Sequence, residues 1–300
     1  MYIKSLLLYF FSSAALAAPW FTGPLLAPAG RTIPTGHFNF EPYSFYTDYA
    51  GGFRNYELTP IMTAGLNSFM DVQASLPYDN SWLKSQHGDG FGDFNIGLGF
   101  QLFTQKEGSL MPDLRIVVQE TIPTGRYDLL NPQKNLTDQT GMGSYQSMLS
   151  FNSQKLFVFK NEHYLRGRLS VSITSPNSVY VQGLNTYGGN PATEGRVYPG
   201  DNYAVDLASE FTLTQNWVVV MEGLYVHSNS TRFRGNPGIL SDGTKGSVGG
   251  SSSESASLAP ALEYNFSSHL GIIGGVWFSV TGPHAAKFTS ITVAVNYYFP

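Results

Sequence analysis

The chain has 300 residues, of which only 13% are charged, whereas 14% are aromatic. Because soluble domains carry about 25% charged residues, this composition favours a protein whose surface lies largely in lipid and at lipid–water interfaces. The net charge of −4 gives no reason to expect a nucleic-acid partner, and the absence of Cys excludes a thiol nucleophile, a disulfide scaffold and Cys-based metal sites.

The first residues carry the pattern of an export signal. Lys4 supplies a positive charge, and Ser5–Ala17 forms a short apolar stretch that ends in Ala15-Leu16-Ala17, the small-x-small pattern that a signal peptidase cuts. The alternative is an N-terminal membrane anchor, but a helical span needs about 20 residues and this stretch has about 13. We therefore predict a cleaved signal peptide over residues 1–17, export through the periplasm, and a single domain over residues 18–300.

Alternation with a period of two dominates the rest of the chain. In Ile291–Phe299 the bulky apolar residues fall at the odd-numbered positions, so a strand there would have one apolar face. Equally regular alternation occurs in Phe94–Leu102, Leu165–Thr174 and Asn202–Leu213. Weaker alternation runs through eight further segments, namely Gly36–Tyr46, Asn55–Ala64, Ser68–Pro77, Asp113–Pro123, Ser144–Leu156, Trp217–His227, Ala256–Tyr264 and Leu270–Val280.

Segment length and the lengths of the connections favour a membrane barrel. A transmembrane strand needs about 9–11 residues, whereas soluble strands usually have about 5–6, and most of these segments are longer than that. Every second connection is tight, namely Gly65–Asn67, Thr104–Met111, Phe157–Glu162, Thr214–Asn216 and Asn265–His269. The connections between them are mostly long, namely Tyr78–Gly90, Thr124–Gly143, Ser175–Gly200 and Ser228–Ser255, while the first and last of this set, Thr47–Phe53 and Thr281–Ala286, are shorter. Periplasmic turns and extracellular loops alternate in this way.

These patterns predict the fold class and the location. We expect an all-β fold, a transmembrane antiparallel up-and-down β-barrel of about 12 strands, in the outer membrane of a Gram-negative bacterium. A soluble β-sandwich is the alternative, since its strands also alternate between apolar and polar residues. The predicted surroundings of the barrel are outer-membrane lipid.

Four short motifs resemble those of a known family. They are Gly92–Gly99, which begins with Gly-Asp, Ile122–Gly125, which contains Pro-Thr-Gly, Gly36–Tyr43 and Leu258–Tyr264. In these motifs the chain resembles the bacterial outer-membrane family "Putative MetA-pathway of phenol degradation", whose members are described as transporters. The resemblance covers nearly all of the chain after the signal. It implies an outer-membrane barrel with a role in uptake, and it transfers no catalytic or binding residue.

The last strand also predicts a partner in assembly. Outer-membrane barrels usually end on an aromatic residue, which resembles the signal that the barrel-assembly machinery reads. Here Phe299 is followed by Pro300. Because Pro donates no ladder hydrogen bond, we expect Pro300 to lie just past the strand, with the C-terminal strand as the contact for the assembly machinery.

Charged residues on the polar faces of the predicted strands are the candidate functional residues. An Arg or Lys in the middle of the lipid-facing surface costs about 2–4 kcal/mol, so we expect these side chains to line the lumen. The candidates are Arg115, Arg166, Arg168, Asp206, Glu210, Glu222 and Glu263. If the strands on either side of the Ser175–Gly200 loop pair, Arg166 and Arg168 lie near Asp206 and Glu210. Such charges could line a conduit or pack a plugged interior.

No catalytic residue, cofactor or metal site is predicted. The six His residues lack the i, i+4 spacing of metal ligands, and no nucleophile-elbow motif is present. Our functional prediction is a passive channel or transporter for small molecules, hydrophobic or aromatic ones included, with the solute unknown. The alternatives are a structural or surface-interaction protein with a plugged lumen and, less favoured, an outer-membrane hydrolase.

Overall fold

The structure is a computed structural model that describes residues 20–159, 163–240 and 242–300. The predicted signal peptide, residues 1–17, lies outside the described residues. Among the described residues, no helix is long and apolar enough to cross a membrane. Nearly all of the regular structure is antiparallel β-sheet.

The strands are numbered along the chain. Their bounds are β1 Phe38–Tyr49, β2 Phe53–Asn67, β3 Met70–Ser75, β4 Tyr78–Leu83, β5 Gln86–Phe91, β6 Phe94–Phe103, β7 Asp113–Ile122, β8 Gln146–Val158, β9 Tyr164–Pro176, β10 Val179–Gln182, β11 Glu194–Tyr198, β12 Asn202–Thr212, β13 Trp217–Ser228, β14 Arg232–Asn236, β15 Ser253–Leu258, β16 Ala261–Asn265, β17 Leu270–Thr281 and β18 Phe288–Phe299. A short 3-10 helix, Pro132–Lys134, lies between β7 and β8.

The main sheet closes on itself. Successive strands of this sheet pair with each other, with β10, β11 and β14 outside it, and β18 pairs with β1 from Phe38↔Phe299 to Tyr49↔Phe288. Three of the barrel strands each consist of two shorter segments. β3 and β4 both pair with β2, and β15 and β16 both pair with β13. β5 and β6 form the third such strand, because β5 pairs with β4 and β6 pairs with β3. The result is the predicted closed antiparallel barrel of 12 strands.

The two faces of the wall have opposite chemistry. On β12, Leu207 is 63% exposed while its neighbour Asp206 is 5% exposed, and on β13 Met221 is exposed while Glu222 is buried. A soluble sandwich would bury its apolar face. Here the apolar face is outside and the polar face is inside, which is the arrangement of a membrane barrel. The sandwich alternative is therefore wrong.

Aromatic rings mark both ends of the outward face. At the end that carries the C-terminus, the Trp217 and Tyr264 rings lie 4.7 Å apart, centroid to centroid, and Tyr297 and Phe299 lie 4.2 Å apart. At the opposite end, Tyr203 on β12 is exposed on the same outward face. Such girdles lie at the two membrane interfaces. The tight turns lie at the end that carries the C-terminus and the long loops at the other, and in outer-membrane barrels these are the periplasmic and the extracellular ends.

The prediction of a long loop over Tyr78–Gly90 is wrong. Most of that segment forms β4 and β5, a hairpin that turns at Lys84, whose φ is 56°. The alternation is hidden because the hairpin has few apolar side chains, and polar pairs join its strands instead, such as Tyr78 Oη donating to Asp89 Oδ2 at 2.6 Å. Outside the lipid, backbone hydrogen bonds are enough to hold these strands together, so the strands need no apolar face.

The integrity of the seam between β1 and β18 can be tested at Ile291, which pairs with Tyr46 on β1 and Val276 on β17. We expect the folded protein to migrate faster in an SDS gel when it is not boiled. Ile291→Pro should abolish the fast band because Pro interrupts the ladder, while the matched control Ile291→Leu should keep it. A single band that heating does not shift in the unsubstituted protein would contradict the closed barrel.

Candidate functional site

The chain before β1 runs inside the barrel. We call residues 20–36 the N-terminal strap. Leu25 of the strap is buried against an apolar patch of the inner wall that includes Val218, Val220 and Ile273. The strap is not part of the main sheet, so its backbone polar groups need other partners.

Carboxylates of the wall supply many of those partners. Glu222 accepts hydrogen bonds from the backbone N–H of Leu26, at 3.0 Å to Oε2, and from that of Ala27. Glu263 accepts from the N–H groups of Thr22 and Gly23. These bonds give partners to backbone donors of the strap that no strand pairing satisfies. Two of the predicted lumen residues therefore hold the first half of the strap.

The second half of the strap is held from the opposite wall. Gln101 on β6 donates from Nε2 to the Gly30 carbonyl at 3.1 Å and accepts the Thr32 N–H at 2.7 Å. Asp71 on β3 accepts the Ile33 N–H at 3.0 Å. Since β3 and β6 lie across the barrel from β16 in the strand order, the strap crosses the lumen from side to side.

Three arginines around the strap pair with carboxylates of the wall. Arg166 and Arg168 on β9 both approach Glu210 on β12, with Arg166 Nε 2.5 Å from Oε2 and Arg168 Nε 3.5 Å from the same oxygen. Arg168 also donates to the Ala27 carbonyl at 3.0 Å. Arg115 donates to Asp71 at 2.6 Å, and both side chains are almost fully buried. A buried charge without a partner would be strongly destabilising.

Wall glycines follow the path of the strap. A Cβ atom added at Gly65 on β2 would lie 1.9 Å from the Pro34 carbonyl oxygen, and one at Gly271 on β17 would lie 1.9 Å from the Thr22 hydroxyl. Any larger residue at either position would collide with the strap. The absence of side chains at these two positions allows the strap to lie directly against the wall.

All seven candidate residues from the sequence lie on the inner side of the wall. Arg166, Arg168 and Glu210 come together as the pairing of β9 with β12 predicts. Glu222 and Glu263 contact the strap. Asp206 is buried on β12, two residues before Ala208, which pairs with Glu222. Arg115 lies apart from these residues, beside Asp71. Whether they line a conduit stays a prediction.

Sequence reasoning missed the strap, together with Asp71 and Gln101. A signal was present, because residues 19–34 contain four Pro, at 19, 24, 28 and 34, and show no alternation. Pro removes a backbone donor and favours an extended chain outside a sheet. A Pro-rich apolar segment between an export signal and the first strand is therefore the pattern of a chain that packs inside a barrel without joining its sheet.

Two cavities remain beside and above the strap. The inner cavity, about 400 Å³, is bounded by the strap and by Asn39, Glu41 and Tyr43 of β1. The outer cavity, about 790 Å³, lies beneath the loop between β7 and β8, with Tyr49 among its lining residues. Glu57 on β2 borders both cavities. The two cavities therefore lie next to each other at this carboxylate, one beneath the extracellular loop and the other against the strap.

The outer cavity is acidic. Its lining includes Glu57, Asp79 and Asp93, and no Lys, Arg or His is among its described lining residues. Asp93 accepts the N–H groups of Gly125 at 2.9 Å and Met142 at 2.8 Å. These bonds fix both ends of the loop that covers the cavity.

The described residues offer no arrangement for metal binding or Ser–His catalysis. Nowhere in the described ranges do three His, Asp or Glu side chains lie close enough together to hold a metal ion. His227 lies 3.5 Å from Glu254, and His269 lies 3.2 Å from the Ser268 hydroxyl. No described His joins a Ser hydroxyl to a carboxylate, which nucleophilic catalysis by Ser requires.

Comparison with known proteins agrees with this architecture. An outer membrane channel from Pseudomonas putida F1 superposes with a TM-score of 0.66 at 12% identity, over 91% of this chain and 100% of that one. The beta domain of the Bordetella autotransporter BrkA gives a TM-score of 0.49 at 9% identity, over 88% of this chain and 100% of that one. No curated protein sequence matches the chain.

The first of these likenesses shows a shared fold. The model of the family described as "Putative MetA-pathway of phenol degradation" matches residues 27–294, a range that begins in the strap and ends in β18. The chain belongs to this family and is a 12-stranded β-barrel of the bacterial outer membrane.

Proposed function

We propose that the protein is a passive outer-membrane channel for small molecules, hydrophobic or aromatic ones included, and that the strap closes the path through the barrel lumen. The observation that carries the proposal is the pair of cavities that lie next to each other at Glu57, the inner one against the strap. A barrel of 12 strands lies between the eight-stranded barrels that side chains fill and the sixteen-stranded barrels with an aqueous channel. A lumen of this intermediate width has room for one extra segment of chain, the strap, which can be displaced.

The way in which the strap is held supports its displacement. Its bonds to Glu222, Glu263 and Asp71 join backbone groups to side chains and involve no strand pairing. A segment held in this way can move without opening the barrel wall. Displacement would uncover the inner-wall patch around Val218 and Ile273, which gives one side of the route an apolar surface.

That apolar surface supports solutes with a hydrophobic part. Arg115 on β7 lies several strands away from this surface in the order of the closed sheet, so the lumen wall is apolar on one side and charged on another. Aromatic residues Tyr49 and Phe53 line the outer cavity, where a solute from outside would first arrive. Rings of this kind contact apolar and aromatic molecules through large surfaces. Phenol itself is not proposed as the solute.

A surface-interaction protein with a permanently plugged lumen is the second candidate. The observation in its favour is the same strap, because charged wall residues on both sides of the lumen hold it. In that case the extracellular loops would carry the function and the interior would only stabilise the barrel. The arrangement of the described His and Ser residues gives no support to a hydrolase. Permeability measurements separate the two candidates.

The strap can be loosened by replacing the carboxylates that hold it. In Glu222→Ala with Glu263→Ala, several hydrogen bonds from the backbone N–H groups of the strap are lost. If two of them contribute about 1.5 kcal/mol each, the open population rises about a hundredfold. We expect a larger single-channel conductance in planar bilayers and faster solute flux into liposomes. The matched control is Glu194→Ala with Glu254→Ala, which removes two carboxylates from the extracellular strands.

The channel proposal is overturned if neither the unsubstituted protein nor the loosened variant conducts ions or passes solutes. Heat-dependent gel migration of each variant identifies those that fail to fold. A variant that folds and stays closed would instead favour the permanently plugged lumen.

A disulfide can lock the strap, since the chain contains no Cys. A Cβ atom at position 271 would lie 3.3 Å from Thr22 Cβ, close to the separation of about 3.8 Å in disulfides. Replacing Thr22 in the same variant removes the hydroxyl with which that Cβ atom would collide. We expect oxidised Thr22→Cys with Gly271→Cys to pass less solute than its reduced form, measured in liposomes before and after reductant. The Thr22→Cys single variant is the control. Equal flux in both redox states would show that the strap does not move for transport.

The acidic outer cavity predicts preference for cations, as rings of carboxylates do in cation channels. Replacing Glu57 and Asp79 with Gln and Asn removes two of its charges. We expect the reversal potential in a salt gradient to move towards zero, measured in a planar bilayer. Glu107→Gln, in the exposed turn between β6 and β7, is the control. An unchanged reversal potential in the double variant would exclude the outer cavity from the ion path.

A further inference from the structure

Outside the barrel, three short strands from two loops form a separate sheet. β10 pairs with β11, and β11 pairs with β14. One face is buried, since Val181 and Val197 are fully covered and pack with Phe233 against Tyr127 and Tyr187. Tyr187 donates to the carbonyl of Met142, which lines the outer cavity. The buried face is therefore turned towards the barrel axis, and the opposite face is turned away from it.

The opposite face carries three arginines. Arg196 on β11 lies directly opposite Arg234 on β14, and Tyr198 lies opposite Arg232. Because paired residues project to the same side of a sheet and side chains alternate along each strand, all three guanidinium groups are on the face turned away from the axis. All three residues are exposed.

These arginines have little to neutralise them within the protein. Arg196 donates to the Ser178 hydroxyl at 3.1 Å, and Arg234 lies over the Tyr198 ring at 5.6 Å. No ion pair joins any of the three to a carboxylate of the described chain. Glu194 is on the same face but accepts a hydrogen bond from the Tyr180 hydroxyl. Like charges directly opposite each other destabilise a sheet. An anion bound between these arginines would therefore stabilise this face.

The position of the sheet identifies the anion. β11 ends at Tyr198 and β12 begins at Asn202, while β13 ends at Ser228 and β14 begins at Arg232. Exposed Tyr203 and Tyr225 on β12 and β13 belong to the outer aromatic girdle, at the level of the lipid headgroups. Arg196 precedes Tyr203 by seven residues and Arg232 follows Tyr225 by seven residues, so extended chain at about 3.3 Å per residue places the arginines at most about 23 Å beyond that level. In the outer leaflet of a bacterial outer membrane, that layer contains the phosphorylated core of lipopolysaccharide.

We propose that Arg196, Arg232 and Arg234 bind phosphate groups of lipopolysaccharide that lies against the barrel beside β12 and β13. Arg matches phosphate oxygens through two parallel hydrogen bonds, which makes it well suited to such a surface. The Tyr180 and Tyr198 rings on the same face offer flat apolar surfaces to the sugars between the phosphates. The proposal does not depend on transport and would hold for an open or a plugged barrel.

The test compares two variants with the same change in charge. One carries Arg196→Gln, Arg232→Gln and Arg234→Gln, and the control carries Lys84→Gln, Lys245→Gln and Lys287→Gln, which are also exposed on the extracellular side. Binding of detergent-purified protein to immobilised lipopolysaccharide is measured for both, with heat-dependent gel migration as the check on folding. We expect the arginine variant to bind about tenfold or more weakly and the lysine variant to bind like the unsubstituted protein.

Two further probes identify the ligand chemistry. Dephosphorylated lipopolysaccharide should bind the unsubstituted protein as weakly as intact lipopolysaccharide binds the arginine variant. Phosphatidylglycerol micelles should compete poorly, since they lack the core. The proposal is overturned if the arginine variant binds normally, if removal of phosphate has no effect, or if phosphatidylglycerol competes as well as lipopolysaccharide, since the surface would then bind any anionic lipid.

Discussion

Every backbone N–H and C=O group in the hydrocarbon layer needs a hydrogen-bond partner, because lipid offers none. In this protein the pairing of β18 with β1 completes that requirement by removing the free edges of the sheet. The lengths of the strands, their antiparallel order and the placement of long loops on one side all follow from this closure. The alternation of residues follows as well, since one side of each strand meets lipid and the other meets the lumen.

Closure leaves an interior that the wall alone does not fill. The inward residues are largely polar, and several are charged and buried, such as Glu210 and Arg115. Charges in such a place need partners, and this barrel supplies them in two ways. Arg166 pairs with Glu210 on the neighbouring strand and Arg115 pairs with Asp71 two strands away, while other carboxylates accept backbone N–H groups of the strap. The strap therefore completes both the packing and the hydrogen bonding of the interior.

The chemistry of the outer surface changes along the barrel axis. Within the membrane, apolar residues such as Leu207 cover the outside. Above the membrane, strands need no apolar outer face. Polar or basic residues take the place of apolar ones in the hairpin β4–β5 and in the small sheet β10–β11–β14. For this reason the hairpin at Tyr78–Gly90 gave no signal in the sequence, whereas Ile291–Phe299, which lies in lipid, gave a strong one.

The sequence by itself determined the barrel, its strand count, its inner and outer faces and the pairing of Arg166 and Arg168 with Glu210, because these depend on alternation and on neighbours along the chain. It did not determine the strap, although its prolines were visible. The contacts of Glu222, Glu263 and Asp71 with the strap join residues that are between 38 and 241 positions apart, and no local pattern encodes such contacts. The meeting of two cavities at Glu57 and the placement of three arginines on one extracellular face were likewise decided by tertiary structure, since each depends on how separate loops and strands come together in space.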